Sequence, residues 1–181
     1  MKRLWKPEAT IFRTSWAALG VATLLGGCAV STPVSIASTD GRLPAEAAVQ
    51  MAPFESDGSL RGNFGAALAE ALAARSITTA QGAPIIAEFA IAVREAEAGI
   101  ADPAGSTNDS IDWESRPRPR DWFDTCNATR LRATLLLLDR TEGTIRYRGV
   151  AETDDCNYDE VHLAELAEAL VSDAQGEFVQ R

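Results

Sequence analysis

The side chains able to do chemistry in this chain are few. There are three cysteines, Cys28, Cys126 and Cys156, and one histidine, His162. A thiolate attacks or ligates where a CxxC partner, a basic neighbour or a ligand cluster lowers its pKa. None of the three lies in a CxxC motif, so a redox, nucleophilic or metal-binding role gives way to pairing or modification. His162 follows Asp159 and Glu160, where a carboxylate-paired imidazole works as a base or ligand; its plainer reading is an exposed surface histidine. Asp154, Asp155, Asp159 and Glu160 form an acidic cluster without the spacing or glycine of an EF-hand loop. A solvated helix N-terminus, favoured by the helix dipole, accounts for it. No Gly-x-Ser-x-Gly elbow, phosphate-binding glycine loop or His-Glu-x-x-His motif occurs. The chain is therefore not expected to be an enzyme, and no catalytic residue, cofactor or metal is assigned.

The most partner-like residues are Arg116, Arg118 and Arg120, separated by prolines and flanked by Trp113 and by Trp122 and Phe123. Arg and Trp are enriched in interface hot spots, and alternating proline keeps a segment extended. They lie in a Gly-, Pro-, Asn- and Asp-containing stretch from Gly99 to about Thr125. A loop of that length in a compact domain is a binding element or a solvated insertion.

These residues need elements to hold them. Residues 29–45 are rich in Ser, Thr, Pro and Gly and read as a flexible tether. Ala48 to Phe54 alternates weakly and ends at a proline and a turn cluster, which predicts a short strand at an edge or end. Leu60, Phe64, Ala67, Leu68, Ala71 and Leu72 recur at helical spacing, with Asp57 or Ser59 available as cap. After Pro84, Ala87, Phe89, Ile91 and Val93 alternate as in a strand, although the Ala and Glu between them also suit a helix. Leu131, Ala133, Leu135 and Leu137 form one face of a further strand, and Ile145, Tyr147, Gly149 and Ala151 one face of the next. Asp139 to Gly143 between them is a hairpin loop. Asn157, as cap with Glu160 three residues on, opens a helix carrying Leu163, Leu166, Leu170 and Val171 on one face.

A hairpin register that sets Leu137 against Ile145, Leu135 against Tyr147 and Arg130 against Glu152 matches apolar with apolar and charge with opposite charge. The same register sets Cys126 against Cys156. Cross-strand partners lie close to disulfide geometry, and a Cys126–Cys156 disulfide is expected, closing the exit of the long loop.

Cys28 ends a different pattern. Lys2, Arg3, Lys6 and Arg13 make a basic start, Trp16 to Leu25 an apolar run too short for an ordinary membrane span, and Leu25-Gly26-Gly27-Cys28 a small-residue close. The quartet resembles the lipobox of bacterial lipoproteins. The resemblance implies cleavage before Cys28, acyl chains on that cysteine and, with Ala29 rather than Asp next, lodging on the periplasmic side of the outer membrane. Each buried methylene contributes about 0.8 kcal/mol, and stable anchoring takes more than one chain. Residues 1–27 would then be a signal peptide, 28–45 the tether and 46–181 one periplasmic domain. Removing four basic residues and one acidic residue takes the net charge from −9 to −12, which argues against a nucleic-acid partner.

The expected fold is α+β, with about four mostly antiparallel strands, two helices on one face and the order β-α-β-β-β-α. The opposite face, with Arg130, Arg132, Arg146 and Arg148, should be wetter. The strand from Val49 to Phe54 followed by a Leu/Ala helix resembles the amino-terminal domain of TolB and of curli-secretion and penicillin-binding-protein-activator lipoproteins. The element order is similar to that of the lipopolysaccharide-assembly lipoprotein. The functional expectation is a non-catalytic envelope lipoprotein that docks on another envelope protein. A small-molecule or lipid carrier using the space between sheet and helices, and an uncharacterised hydrolase, are the alternatives.

Overall fold

The computed structural model describes residues 31–179 apart from 40, 45, 56, 108 and 109. The expected signal peptide and Cys28 lie outside the described residues.

The architecture corrects the expected sheet of about four mostly antiparallel strands and the expected order β-α-β-β-β-α, the observed order being β-β-α followed by six strands and a helix. A six-stranded mixed sheet has the order β1-β8-β7-β4-β2-β3, and β5 and β6 form a separate two-stranded sheet. The strands are β1 (Ser35–Ser38), β2 (Ala48–Met51), β3 (Thr78–Thr79), β4 (Ile85–Glu95), β5 (Ile100–Ala101), β6 (Trp113–Ser115), β7 (Thr129–Asp139) and β8 (Ile145–Asp155). Helices α1 (Leu60–Ala74) and α2 (Glu160–Ala174) complete the fold. Neighbours β1–β8, β8–β7 and β7–β4 are antiparallel, whereas β2 runs parallel to both β4 and β3. Parallel strands need a crossover, and α1, lying between β2 and β4 in the chain, supplies it. The overlooked strands are short or polar: β3 is two threonines, and β1 lies in the Ser- and Pro-rich range expected as tether. Around β1 only Val34 and Ile36 alternate inward onto the core, too short a pattern to stand out in a Ser- and Pro-rich range, and backbone pairing at the edge does the rest.

Both helices cover one face. Ser59 caps α1, its side chain accepting from the Gly62 amide. Phe64, Leu68 and Leu72 from α1 meet Leu166, Leu170 and Val171 from α2 over Ala87, Phe89, Leu131, Leu135 and Leu137. Phe89 makes T-shaped contacts with Phe54 and Phe64, at centroid distances of 5.6 and 5.9 Å. Tyr147 is fully buried, and its ring lies over Gly149, where an added Cβ would come within 2.0 Å of the phenolic oxygen. That close approach is why a glycine stands in mid-strand.

The β7–β8 register differs from the expected one by two residues. Leu137 pairs with Tyr147, Leu135 with Gly149, Arg132 with Glu152 and Arg130 with Asp154. A shift of two keeps every side chain on its face, so the hydrophobic pattern is indifferent to it. Opposite charges decide, since this register makes two cross-strand ion pairs where the expected one made a single pair. An irregularity between Leu137 and Leu138 shifts the pairing by one residue next to the loop, so that Ile145 pairs with Leu138 rather than Leu137; Gly143 in the loop has φ 66°.

Cys126 and Cys156 are disulfide-bonded with Cα atoms 5.8 Å apart. The bond lies just past the last ladder pair, Thr129 with Asp155, where both chains have left the sheet. Ala96 and Ala128 pack against it, and the Ala96 amide donates to the Ala128 carbonyl. The ends of β4, β7 and β8 are tied together at this point.

Candidate functional site

Alternation along β4, β7 and β8 sends Arg94, Arg130, Arg132, Glu152 and Asp154 to the sheet face that bears no helix. They gather at the disulfide end, and β6 folds over them from the long loop. Asp154 is 3% exposed and Ser115, arriving from β6, also 3%. The Ser115 hydroxyl donates to Glu152 Oε2 at 2.8 Å and accepts from Arg130 Nη1 at 3.1 Å and from Arg94 Nη2. Its proton and lone pairs are thereby committed, so this serine acts as a pin between strands rather than a free nucleophile.

Arg130 is the hub. Its Nε and Nη2 donate to the two oxygens of Asp154 at 2.5 and 2.7 Å, and its Nη1 donates to the Arg116 carbonyl at 2.6 Å. Hydrogen bonding to Asp154 raises the Arg130 pKa against the opposing effect of burial. Arg132 donates to Glu152 Oε1 at 3.0 Å and also to Glu114. Arg94 stands directly across from Arg130; burial, and then the like charge of Arg130, lower its pKa. Its Nε is buried without a hydrogen-bond partner.

Above this floor runs an open groove of about 990 Å³. Its walls are β1 with the preceding residues from Thr32 on one side and Trp113 to Arg118 on the other, and Arg148, Val150 and Glu152 contribute to the base. Arg148 and Glu114 are about half exposed and 3.9 Å apart at the rim. The long loop is therefore built into the domain. Trp113 packs on Gly99, where an added Cβ would come within 2.3 Å of the ring, and the Arg118 amide donates to the Ala96 carbonyl.

The sequence-predicted residues separate here. Trp113, Arg116 and Arg118 line the groove. Arg120 and Trp122 point to solvent beyond it, Trp122 being 92% exposed. Arg118 is spoken for, donating to Asp124 Oδ1 at 3.1 Å. Sequence reasoning missed Ser115, Arg94 and the grouping of Glu152 with Asp154. The signal was present as charged residues two apart near the ends of β7 and β8, with Arg94 near the end of β4, but it needed the register to be read.

The acidic cluster beside α2 also resolves. Asp159 rather than Asn157 is the N-cap, and His162 takes the place expected for Glu160 in the capping box. The His162 ring is only 17% exposed, with Nδ1 2.8 Å from Asp159 Oδ1 and Nε2 3.3 Å from Asp155 Oδ2. Burial works against its charge, but hydrogen bonds and attraction from Asp159 and Asp155 outweigh it and raise the pKa. Charged, the ring donates to both carboxylates; neutral at Nδ1, it instead accepts the Asp159 amide at 3.2 Å. Among the described residues, no group of three or more His, Cys, Asp and Glu side chains is placed to hold a metal ion. No helix among them is long and apolar enough to cross a membrane.

No family model matches the chain, and no curated protein does. Among solved structures it is similar to the PelC dodecamer from Paraburkholderia phytofirmans in two crystal forms, one carrying a substitution. Both are 14% identical, with TM-scores of 0.47 and 0.48, and cover 78% of this chain and 97–98% of that one. A PDZ domain protein from Parabacteroides distasonis is 9% identical with a TM-score of 0.47, over 83% of this chain and 36% of that one. Likeness at this level carries no argument about the site.

Proposed function

We propose that this protein is a non-catalytic envelope lipoprotein, anchored through Cys28 on the periplasmic side of the outer membrane, whose domain docks on another envelope protein through the groove between β1 and the long loop. The observation that carries the reading is the groove itself. Its buried charges are paired with one another through Arg130, Asp154, Glu152 and Ser115, which fixes its shape before a partner arrives. A preorganised surface loses little freedom on binding. At the rim, Arg148 and Glu114 remain about half exposed to meet polar groups of a partner.

The carrier alternative is less well supported in its original place, because the space between sheet and helices is filled by side chains such as Phe64, Leu68, Leu135 and Leu166, each 1% exposed or less. For the hydrolase alternative, Ser115 and His162 are both engaged in pairs that hold structural elements.

The test is site-specific photocrosslinking in living cells from two positions, Arg148 at the groove and Glu70 on the exposed side of α1. A discrete adduct from Arg148, absent from Glu70, is expected. Adducts from neither position, or equally from both, would contradict docking through the groove.

A further inference from the structure

Five of the eight large apolar side chains left exposed among the described residues are Val93, Trp122, Phe123, Tyr158 and Val161. All belong to the disulfide end of the domain. Trp122 and Phe123 come just before Cys126, Tyr158 and Val161 just after Cys156, and the Cys126–Cys156 bond ties the two segments together. Val93 pairs with Leu131, two positions from the end of the β4–β7 ladder.

The two most exposed of them are held in place. Trp122 and Phe123, 92% and 74% exposed, occupy the corner of a β-turn closed by the Asp124 amide donating to the Asp121 carbonyl at 3.0 Å. The Asp124 carboxylate accepts from the Asp121 amide at 3.0 Å and from Arg118 Nη2 at 3.1 Å. Arg118 is fastened in turn through its own amide to Ala96. An aromatic ring buries about 150–250 Å² when covered. Holding two of them out in water on a tied turn costs free energy unless something covers them.

The start of the described chain lies at the same end. β1 is antiparallel to β8, so it enters where β8 finishes: Ser31 bridges to Asp155, and the Thr32 amide donates to the Asp154 carbonyl. Cys28 is three residues before Ser31 in the sequence, and three residues of chain reach at most about 11 Å. A lipid on Cys28 therefore emerges at the disulfide end.

From this juxtaposition we infer that the Trp122–Phe123 turn seats in the head-group region of a phospholipid bilayer beside the anchor. The domain then rests on the membrane by its disulfide end. The inference rests on the lipoprotein reading for its anchor. Trp and Tyr favour the membrane–water interface, where an apolar ring and a polar tip are both satisfied. The charges at this end are net negative: Arg116, Arg118, Arg120 and His162 stand against Asp121, Asp124, Asp155, Asp159 and Glu160, with Glu95 and Glu97 exposed beside the disulfide. Apolar burial rather than attraction to anionic lipid is thus the driving term, and salt does not weaken the contact.

The test uses the full chain recovered from membranes and reconstituted into vesicles of phosphatidylethanolamine with a minor share of phosphatidylglycerol, with or without bromine on the acyl chains. Subtracting the emission of the Trp122→Phe protein isolates Trp122. Its signal is expected to shift to the blue in vesicles, to lose most of its intensity to the brominated lipid and to stay so at high salt. A Trp122 signal that keeps its hydrated wavelength and escapes quenching overturns the inference and leaves the pair to a protein partner. The mass of the N-terminal peptide from the same sample separates the two ideas. Lipid on Cys28 with unquenched Trp122 rejects only the membrane contact, and bare Cys28 with quenched Trp122 rejects only the anchor.

Discussion

Arg130 and Asp154 face each other across the β7–β8 ladder and meet through two side-by-side hydrogen bonds, Nε to Oδ1 at 2.5 Å and Nη2 to Oδ2 at 2.7 Å. Their side chains are 11% and 5% exposed. Removing one partner of such a pair leaves a buried charge and costs about 3–5 kcal/mol, whereas replacing both with apolar residues costs much less. Arg130→Leu and Asp154→Leu should each fall in that range by denaturant unfolding, and the double variant should lose clearly less than their sum. Additive losses would mean that the pair is not a unit.

The disulfide closes a loop with a sequence separation of 30. In the chain-entropy account this is worth about 3–4 kcal/mol. Cys126→Ser with Cys156→Ser should lower the unfolding free energy by that amount and loosen the long loop, seen as faster amide exchange at Trp113 to Arg118. A loss below about 1 kcal/mol would show that the ladder alone holds this end of the sheet.

Tyr147 donates to Asp173 Oδ2 at 2.8 Å from a fully buried position. Burial, then the hydrogen bond and charge of Asp173, push its pKa well above the ordinary value. A raised folded pKa gives stability that is intact below the unfolded value of about 10 and is lost as pH rises beyond it. In a Tyr158→Phe background, tyrosinate absorbance should therefore appear together with unfolding at alkaline pH. Ionisation that precedes any loss of structure would contradict the buried pair.

His162 links Asp155 and Asp159 at the start of α2, and its pKa is raised. Its stabilising contribution is complete below the unfolded value of about 6.5 and fades as pH climbs through the folded one. Unfolding free energy should drop across that window in the unaltered protein, and His162→Gln should flatten the step. Below the carboxylate range the sign reverses, since the Asp155 and Asp159 pKa values are lowered and their contribution disappears as they protonate. For Asp155, hydrogen bonds from Asn157 and His162 prevail over burial; for Asp159, those from His162 dominate.

The hydrophobic periodicities made both helices and the long strands legible, because burial on one face imposes them. Leu131, Ala133, Leu135 and Leu137 could point only inward. Register was legible only modulo two residues, since a shift of two leaves faces unchanged and merely trades Glu152 for Asp154 opposite Arg130. Strands such as Ser35–Ser38 and Thr78–Thr79 are held largely by backbone hydrogen bonds at sheet margins, and the side-chain signal is short, Val34 and Ile36 for the first and two exposed threonines for the second. The parallel pairing of β2 was hidden for a related reason, because alternation in Ala48–Met51 does not specify strand direction. Trp113, Arg116 and Arg118 could be singled out by residue type, whereas Ser115 could not, its importance arising from its place between Arg94, Arg130 and Glu152.

The account depends most on what becomes of Cys28. Mass spectrometry of the N-terminal peptide from membrane-extracted protein tests it directly. The account predicts a chain that begins at Cys28 and carries a diacylglyceryl group on sulfur and a further acyl chain on nitrogen. A chain that retains residues before Cys28, or one with Cys28 as a free thiol, would contradict it.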